Sequence, residues 1–422
     1  MVLLANSFFL CALFPYISVV RLPFDTQPYA LLLSLLILTG FLATGKLGLP
    51  RFLWILAIPA VYSIAMFFVS KGSEFGALRS IAGYLSVFTI SAAAYTVSRY
   101  LSPKLFGFSV FIWLVVGVVQ AMFDGGYGTW LVPRVSTSPL RGVTSLAVEP
   151  SSYAVMNIFF ILLNELFYSR RLYRRRWYIL ILCAAVLQII LSLSSVGLLL
   201  LSAFLLARSI SILMAHKGGR SIYSRIWAAS LPWAVLIALV GLFWTEGYLS
   251  ETRAGRLMAD FLDDPVSVLD EPSVEDRLTH IVVPFYAFMS GGWWGFGLAS
   301  WGEHGRQLAS GIGGRFANLS PYASFGDRIL SGWGSALFEL GVFGLIMIAA
   351  ISKVFLDQAA RDRARRHLYL LFLLLIHLIM ISAVTLALPV FSFFVGLCAR
   401  RDLGQASTET LDAASKVGVI HG

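Results

Sequence analysis

A chain of 422 residues in which 58% are hydrophobic and 13% charged lies outside soluble globular composition, where about a quarter of residues carry charge. Its apolar residues gather in stretches near the roughly 20 that cross a bilayer as helix, with the charges between them, which excludes a soluble core. The net charge of +10 does not point to nucleic acid, because the basic residues flank apolar stretches, as anchors on one side of a membrane do.

In chain order, the first apolar stretch, near residues 3–20, has no basic residue ahead of it and no small-residue cleavage site behind it. It is expected to be a retained span and not a signal peptide. Further spans are expected near residues 29–44, 52–69, 80–97, 105–123, 145–168, 177–193, 195–213, 226–244, 329–352, 368–384 and 386–399. The tight turn around Leu191 to Val196 and the short last two spans leave the count at about 10–12 helices. All three cysteines, Cys11, Cys183 and Cys398, lie inside apolar stretches and read as small hydrophobes.

With a cytoplasmic amino terminus, the runs Arg170, Arg171, Arg174, Arg175, Arg176 and Arg361, Arg363, Arg365, Arg366 fall inside, as do Arg400 and Arg401. The opposite short loops carry only Arg21, Lys71, Arg79, Arg134 and Arg141. The positive-inside rule then places both termini in the cytoplasm. The expected class is an all-α polytopic membrane protein with about 12 transmembrane helices. Its parts are a bundle at 1–244, one large extracytoplasmic loop at 245–328, C-terminal helices at 329–400 and a polar cytoplasmic tail at 401–422. No half of the sequence mirrors the other, as the repeats of many secondary transporters do.

The large loop is too long for a simple connector. Glu251 to Arg277 is expected to be helical in part. Pro284 to Trp301 carries Trp293, Trp294 and Trp301 with several glycines, which suits a short re-entrant or interfacial segment. Asp263 and Asp264 lack a third ligand at fixed spacing and precede Pro265, so they read as a solvated turn; no metal or other cofactor is expected.

The most informative stretch is Arg141-Gly-Val-Thr-Ser-Leu-Ala-Val-Glu149-Pro150-Ser151-Ser152-Tyr153-Ala154. Proline has no N–H to donate and fits the first turn of a helix, so Glu149 is expected at the helix start, beside free backbone N–H groups at the outer membrane face. An ionisable group entering a span is costly unless it lines a wet or occupied cavity. The plainer alternative is that Glu149 caps the helix or pairs with Arg141.

This stretch resembles the motif of Wzy-type polysaccharide polymerases, which Arg141, Gly142, Glu149, Pro150, Ser151 and Ala154 match. Glu275-Asp276-Arg277, followed by an apolar run and Gly295-Phe296-Gly297, is similar to the Arg and Gly-x-Gly pattern of the O-antigen polymerase and ligase superfamily. Ser331 to Gly344, with Glu339, Gly341 and Gly344, is similar to the Glu-x-Gly-x-x-Gly of the span after its large loop. One departure stands out. Ligases of the superfamily place a histidine just before that span, where this chain has Leu330 and Ser331.

The resemblance implies a GT-C-like membrane glycosyltransferase of the bacterial inner membrane, acting without a metal on an oligosaccharide linked to undecaprenyl diphosphate. It also implies the bilayer and a polysaccharide chain-length regulator as partners. A departing diphosphate needs positive charge, and arginine grips phosphate oxygens through a planar fork. Arg141 and Arg277 are therefore the expected clamp, Glu149 the expected base or a positioner of Arg141, and Arg134, Arg315 and Arg328 further outward contacts. Ser151, Ser152 and Tyr153 follow Glu149 as candidate substrate contacts. Trp293 and Trp294 suit either sugar stacking or interfacial anchoring. The missing histidine favours polymerase over ligase; a transporter is the rival from another class.

Overall fold

Backbone groups in hydrocarbon must be satisfied within their own segment, so long apolar runs fold as helices. The computed structural model describes residues 1–400 except 19–25, 69, 71–72, 134, 136–141, 215–229, 231–232, 235–252, 315, 317–324, 327 and 383. Among these there is helix and no strand.

The helices in chain order are α1 (Val2–Leu13), α2 (Tyr29–Ala43), α3 (Arg51–Ile55), α4 (Ala57–Phe67), α5 (Glu74–Val97), α6 (Pro103–Met122), α7 (Pro150–Ser169), α8 (Arg175–Leu191) and α9 (Ser195–Met214). Beyond residue 252 come α10 (Arg253–Asp263), α11 (Pro272–Met289), α12 (Trp301–Ile312), α13 (Gly332–Leu340), α14 (Val342–Arg361), α15 (Arg366–Ser382) and α16 (Pro389–Ala399).

Among the described residues, six helices are long and apolar enough to cross a membrane: α5, α6, α7, α9, α14 and α15, while α1, α2, α3–α4 and α16 are shorter apolar helices. The chain thus has the architecture of a polytopic membrane protein. The tail at 401–422 lies outside the described residues, as does the expected span at 226–244 except for residues 230, 233 and 234.

Several boundaries differ from expectation for local reasons. The first helix stops at Leu13, ahead of Pro15, and α7 starts at Pro150 and not at 145, because proline occupies its first position. The span expected at 329–352 is two helices. α13 ends at Gly341, whose φ of +57° is open to glycine, and a Cβ there would lie 2.1 Å from the Trp293 carbonyl oxygen. In the large loop, α11 runs through Pro284 to Met289, so that the first third of the expected interfacial segment is helix. The irregular part is confined to 290–300, where Gly291, Gly295 and Gly297 take positive φ.

α7 is the central helix, buried over most of its length. It packs against α8, α9 and α16, while α16 packs in turn along α5. The core is aromatic: Phe9 stacks on Phe393 with centroids 4.9 Å apart, and Trp113 on Tyr153 at 5.8 Å. A smaller cluster of Val283, Ala287, Trp301, Ala309, Ile329 and Phe338 seats α11 and α12 on α13.

Candidate functional site

α13 is short and rigidly placed. Its N-cap Ser331 accepts a hydrogen bond from the Gly334 N–H at 2.9 Å, and a Cβ on Gly334 would come within 2.7 Å of the His280 carbonyl oxygen. Glycine therefore lets α13 lie directly on the α11 backbone. At the other end of α13, the 293–299 loop is stitched on by two backbone bonds: Phe296 N–H to the Phe338 carbonyl and Val342 N–H to the Trp293 carbonyl, each 2.8 Å. Gly295 is required by the same close approach, since a Cβ would meet the Glu339 carbonyl oxygen at 2.2 Å.

This stitching delivers the Ala299 N–H to the side chain of Glu339, 4% exposed. Oε1 accepts from Ala299 N–H and from the Ser80 hydroxyl, both at 3.0 Å, and Oε2 accepts from the Tyr84 hydroxyl at 2.7 Å. Ser80 and Tyr84 stand four apart on α5 and so share one face. The neighbouring guanidinium of Arg79 adds a favourable electrostatic interaction. The three donors come from two separate segments, so the carboxylate ties the 293–299 loop to α5 through α13.

Beside Glu339 lies a cavity of about 110 Å³, whose lining includes Gln27, Arg79, Ser80, Tyr84, Arg328, Ser335 and Thr385. It is lined by the N-terminal ends of α2 and α16, where unsatisfied N–H groups and the helix dipole favour negative charge, by residues 79–86 within α5 and by Ser335 and Glu339 of α13. Among its described lining residues two arginines, Arg79 and Arg328, accompany one carboxylate, Glu339. Of the expected substrate contacts among the described residues, Arg328 is the one in this wall.

Glu149 is the N-cap residue of α7, with extended backbone (φ −154°, ψ 162°), yet its side chain makes no capping bond. Its carboxylate instead accepts from the Ser151 hydroxyl and, at 3.5 Å, from that of Ser152, so the three expected neighbours do meet. Ser152 also bonds the buried Tyr16 hydroxyl, which lies in the field of Glu149. The lead-in is fixed by the core. Ser145 at φ +50° donates its N–H to Gln120 Oε1 at 2.6 Å and its hydroxyl to the Trp113 carbonyl at 2.7 Å. Gly142 lies so close to α8 that a Cβ would be 2.1 Å from the Ser192 carbonyl oxygen.

Gln27, in the cavity wall, donates its N–H to the carbonyl of Pro15, one residue before Tyr16, at 2.7 Å.

Arg277 donates to the carbonyl of Ser382, the last residue of α15, at 3.3 Å, a favourable place for a cation. Ser382 is three residues ahead of Thr385 in the cavity wall, so Arg277 braces the neighbouring loop and is not among the lining residues. Arg141, Arg134 and Arg315 lie outside the described residues.

Tyr153 is a correction to the expected site. It is 0% exposed, stacked on Trp113, with its hydroxyl 3.1 Å from Gln188 Oε1; it turns into the bundle and not toward a ligand. Trp301 is likewise core, stacked on Phe325 at 5.4 Å, whereas Trp293 and Trp294 are 59% and 68% exposed. No group of three or more His, Cys, Asp or Glu that could hold a metal occurs among the described residues.

No protein-family model matches the sequence, and no curated protein matches it.

Sequence reasoning assigned no role to Arg79, Tyr84 or Glu339. A signal for Glu339 was present: a carboxylate inside an expected span marks a functional position by default.

Proposed function

We propose that the chain is a polysaccharide polymerase of the bacterial inner membrane, with both termini cytoplasmic, that moves a growing glycan from undecaprenyl diphosphate to a new lipid-linked oligosaccharide repeat. The observation that carries this reading is the cavity lined by Arg79 and Arg328 beside the N-terminal ends of α2 and α16, which suits a diphosphate entering from the lipid. In the reaction the acceptor hydroxyl oxygen bonds to the anomeric carbon of the donor sugar. The bond from that carbon to the phosphate oxygen breaks, and the diphosphate leaves with the electron pair. Glu149, partly exposed beside Ser151 and Ser152, accepts the hydroxyl proton, while Arg79 and Arg328 neutralise charge developing on the leaving group. Glu339, held by its donors, ties down the 293–299 loop near Arg79.

Orientation is checked by reporter fusions. Those after Arg176 and Arg366 should behave as cytoplasmic and one near Asp264 as extracytoplasmic; an outward signal after Arg366 would place the cavity on the wrong side for this chemistry. Function is checked by deleting the gene in its source cell. Single repeats should accumulate on the carrier or on the acceptor, with no long polymer. Full-length polymer left unattached would identify a ligase instead, and an unchanged glycan profile would remove both readings.

A further inference from the structure

The end of the bundle opposite the cavity carries two basic turns far apart in sequence, one between α7 and α8 and one between α14 and α15. They meet in space. Arg170, at the end of α7, donates to the Tyr369 hydroxyl on the first turn of α15 at 2.6 Å and to the Arg400 carbonyl at 3.3 Å. Tyr369 also feels the charges of Arg365 and Asp362. Around this junction Arg171 and the run Arg174, Arg175, Arg176 are exposed on one turn, and Arg363 and Arg366 on the other.

The described carboxylates at this end are already engaged. Asp362 accepts from Arg365 at 2.9 Å, Asp357 from Lys353 at 3.1 Å, and buried Glu165 lies 3.2 Å from Arg208. Among the described residues, no further acid at this end neutralises the surplus positive charge. Arg174, Arg175 and Arg176 also occupy the N-cap and first turn of α8, where the helix dipole disfavours cations. Such an arrangement costs stability unless an anion covers it. Immediately beyond each basic turn the helix exposes large apolar side chains: Trp177, Ile179 and Leu180 on α8, and Leu370 and Leu374 on α15.

Cationic turns stepping directly onto bare apolar helix match a molecule with phosphate at one end and acyl chains at the other. We propose that this junction is a binding surface for an anionic phospholipid with two phosphates, of the cardiolipin type, one phosphate at each turn and the acyl chains along α8 and α15. The proposal rests on the membrane-spanning architecture alone and stands independently of the enzymatic reading.

The test uses the purified full-length protein in detergent, with cardiolipin, phosphatidylcholine and inorganic pyrophosphate as probes and native mass spectrometry as the readout. Wild-type protein should retain cardiolipin in preference to phosphatidylcholine, and retention should fall steeply as salt is raised. Each arginine near an anionic surface contributes about a fivefold gain in binding. The R174Q/R175Q/R176Q variant should therefore bind cardiolipin about a hundredfold more weakly, and R363Q/R366Q about thirtyfold. The lysine variant R174K/R175K/R176K, which keeps the charge, should stay within about threefold of wild type. Because removing arginines can disturb insertion, the salt dependence of the unaltered protein is a separate arm. Equal retention of the two lipids, salt-insensitive retention, glutamine variants that bind as wild type, or displacement of cardiolipin by pyrophosphate at matched phosphate would each overturn the proposal.

Discussion

Replacing Glu339 by leucine should remove the polymer from cells and lower the amount of folded protein in the membrane. Three donors converge on this carboxylate: the Ser80 hydroxyl, the Tyr84 hydroxyl and the Ala299 N–H. Leucine supplies no acceptor. A buried donor left without a partner costs about 1–3 kcal/mol, so three lost acceptors approach the whole stability of a typical domain, even after Tyr84 turns to the Ser335 carbonyl, 3.2 Å away. The 293–299 loop loses its tie to α13 at the same step, and the residues after Trp294 should become accessible to protease in membrane vesicles. Glu339→Gln separates fold from chemistry. Its amide oxygen still accepts from Ser80 and Ala299, and its NH₂ can donate to Tyr84, so abundance should remain normal. The negative charge near Arg79 is gone, however, and polymer should be shortened. Wild-type polymer length in Glu339→Gln at matched expression would show that the carboxylate acts only as a structural acceptor.

Arg79→Lys and Arg328→Lys should each reduce polymerisation by about a hundredfold or more at normal protein abundance, the loss expected when one preorganised donor to developing charge is removed. Lysine keeps the positive charge but has no planar fork for two phosphate oxygens. The measurement is the rate of polymer formation by purified protein on a synthetic undecaprenyl-diphosphate oligosaccharide, with inorganic pyrophosphate as competitor. Competition should weaken in both variants. If both lysine variants polymerise at the wild-type rate, the cavity does not hold the leaving group, and Arg277→Lys, with Glu149→Gln for the base, becomes the next pair to measure. Arg277 is the contrasting case, because its bond to the end of α15 is one that lysine can also make. Arg277→Lys should therefore be milder than either cavity variant.

Pro150 fixed the start of α7 and therefore the place of Glu149, and this much was legible because proline's missing N–H acts locally. The same is true of Pro389 at the start of α16. The Ser151 and Ser152 hydroxyls reach Glu149 from two and three residues away, again within range of a local reading. Glu339 was different. Its partners Ser80 and Tyr84 lie 259 and 255 residues away in sequence, and nothing in either segment alone points to the other. Tyr153 misled for the opposite reason: it follows the informative Glu-Pro-Ser element directly, but three positions beyond Pro150 the helix has turned its side chain into the core.

By itself the sequence determined that this protein is helical, that it has apolar segments long enough to cross a membrane, and where its charges and prolines end those segments. Hydropathy and proline chemistry act over a single turn or a single span, and lipid excludes unsatisfied backbone, so these features follow without knowledge of neighbours. The tertiary structure decided which helix faces meet, where the span after the large loop breaks at Gly341, and which side chains surround the cavity. The physical reason is that a face packed against protein and a face bathed in lipid are both apolar. In water a helix declares its buried side by an alternation of polar and apolar residues, but in a bilayer that contrast is missing, and contact is set by small residues and a few buried hydrogen bonds whose partners only the folded chain brings together.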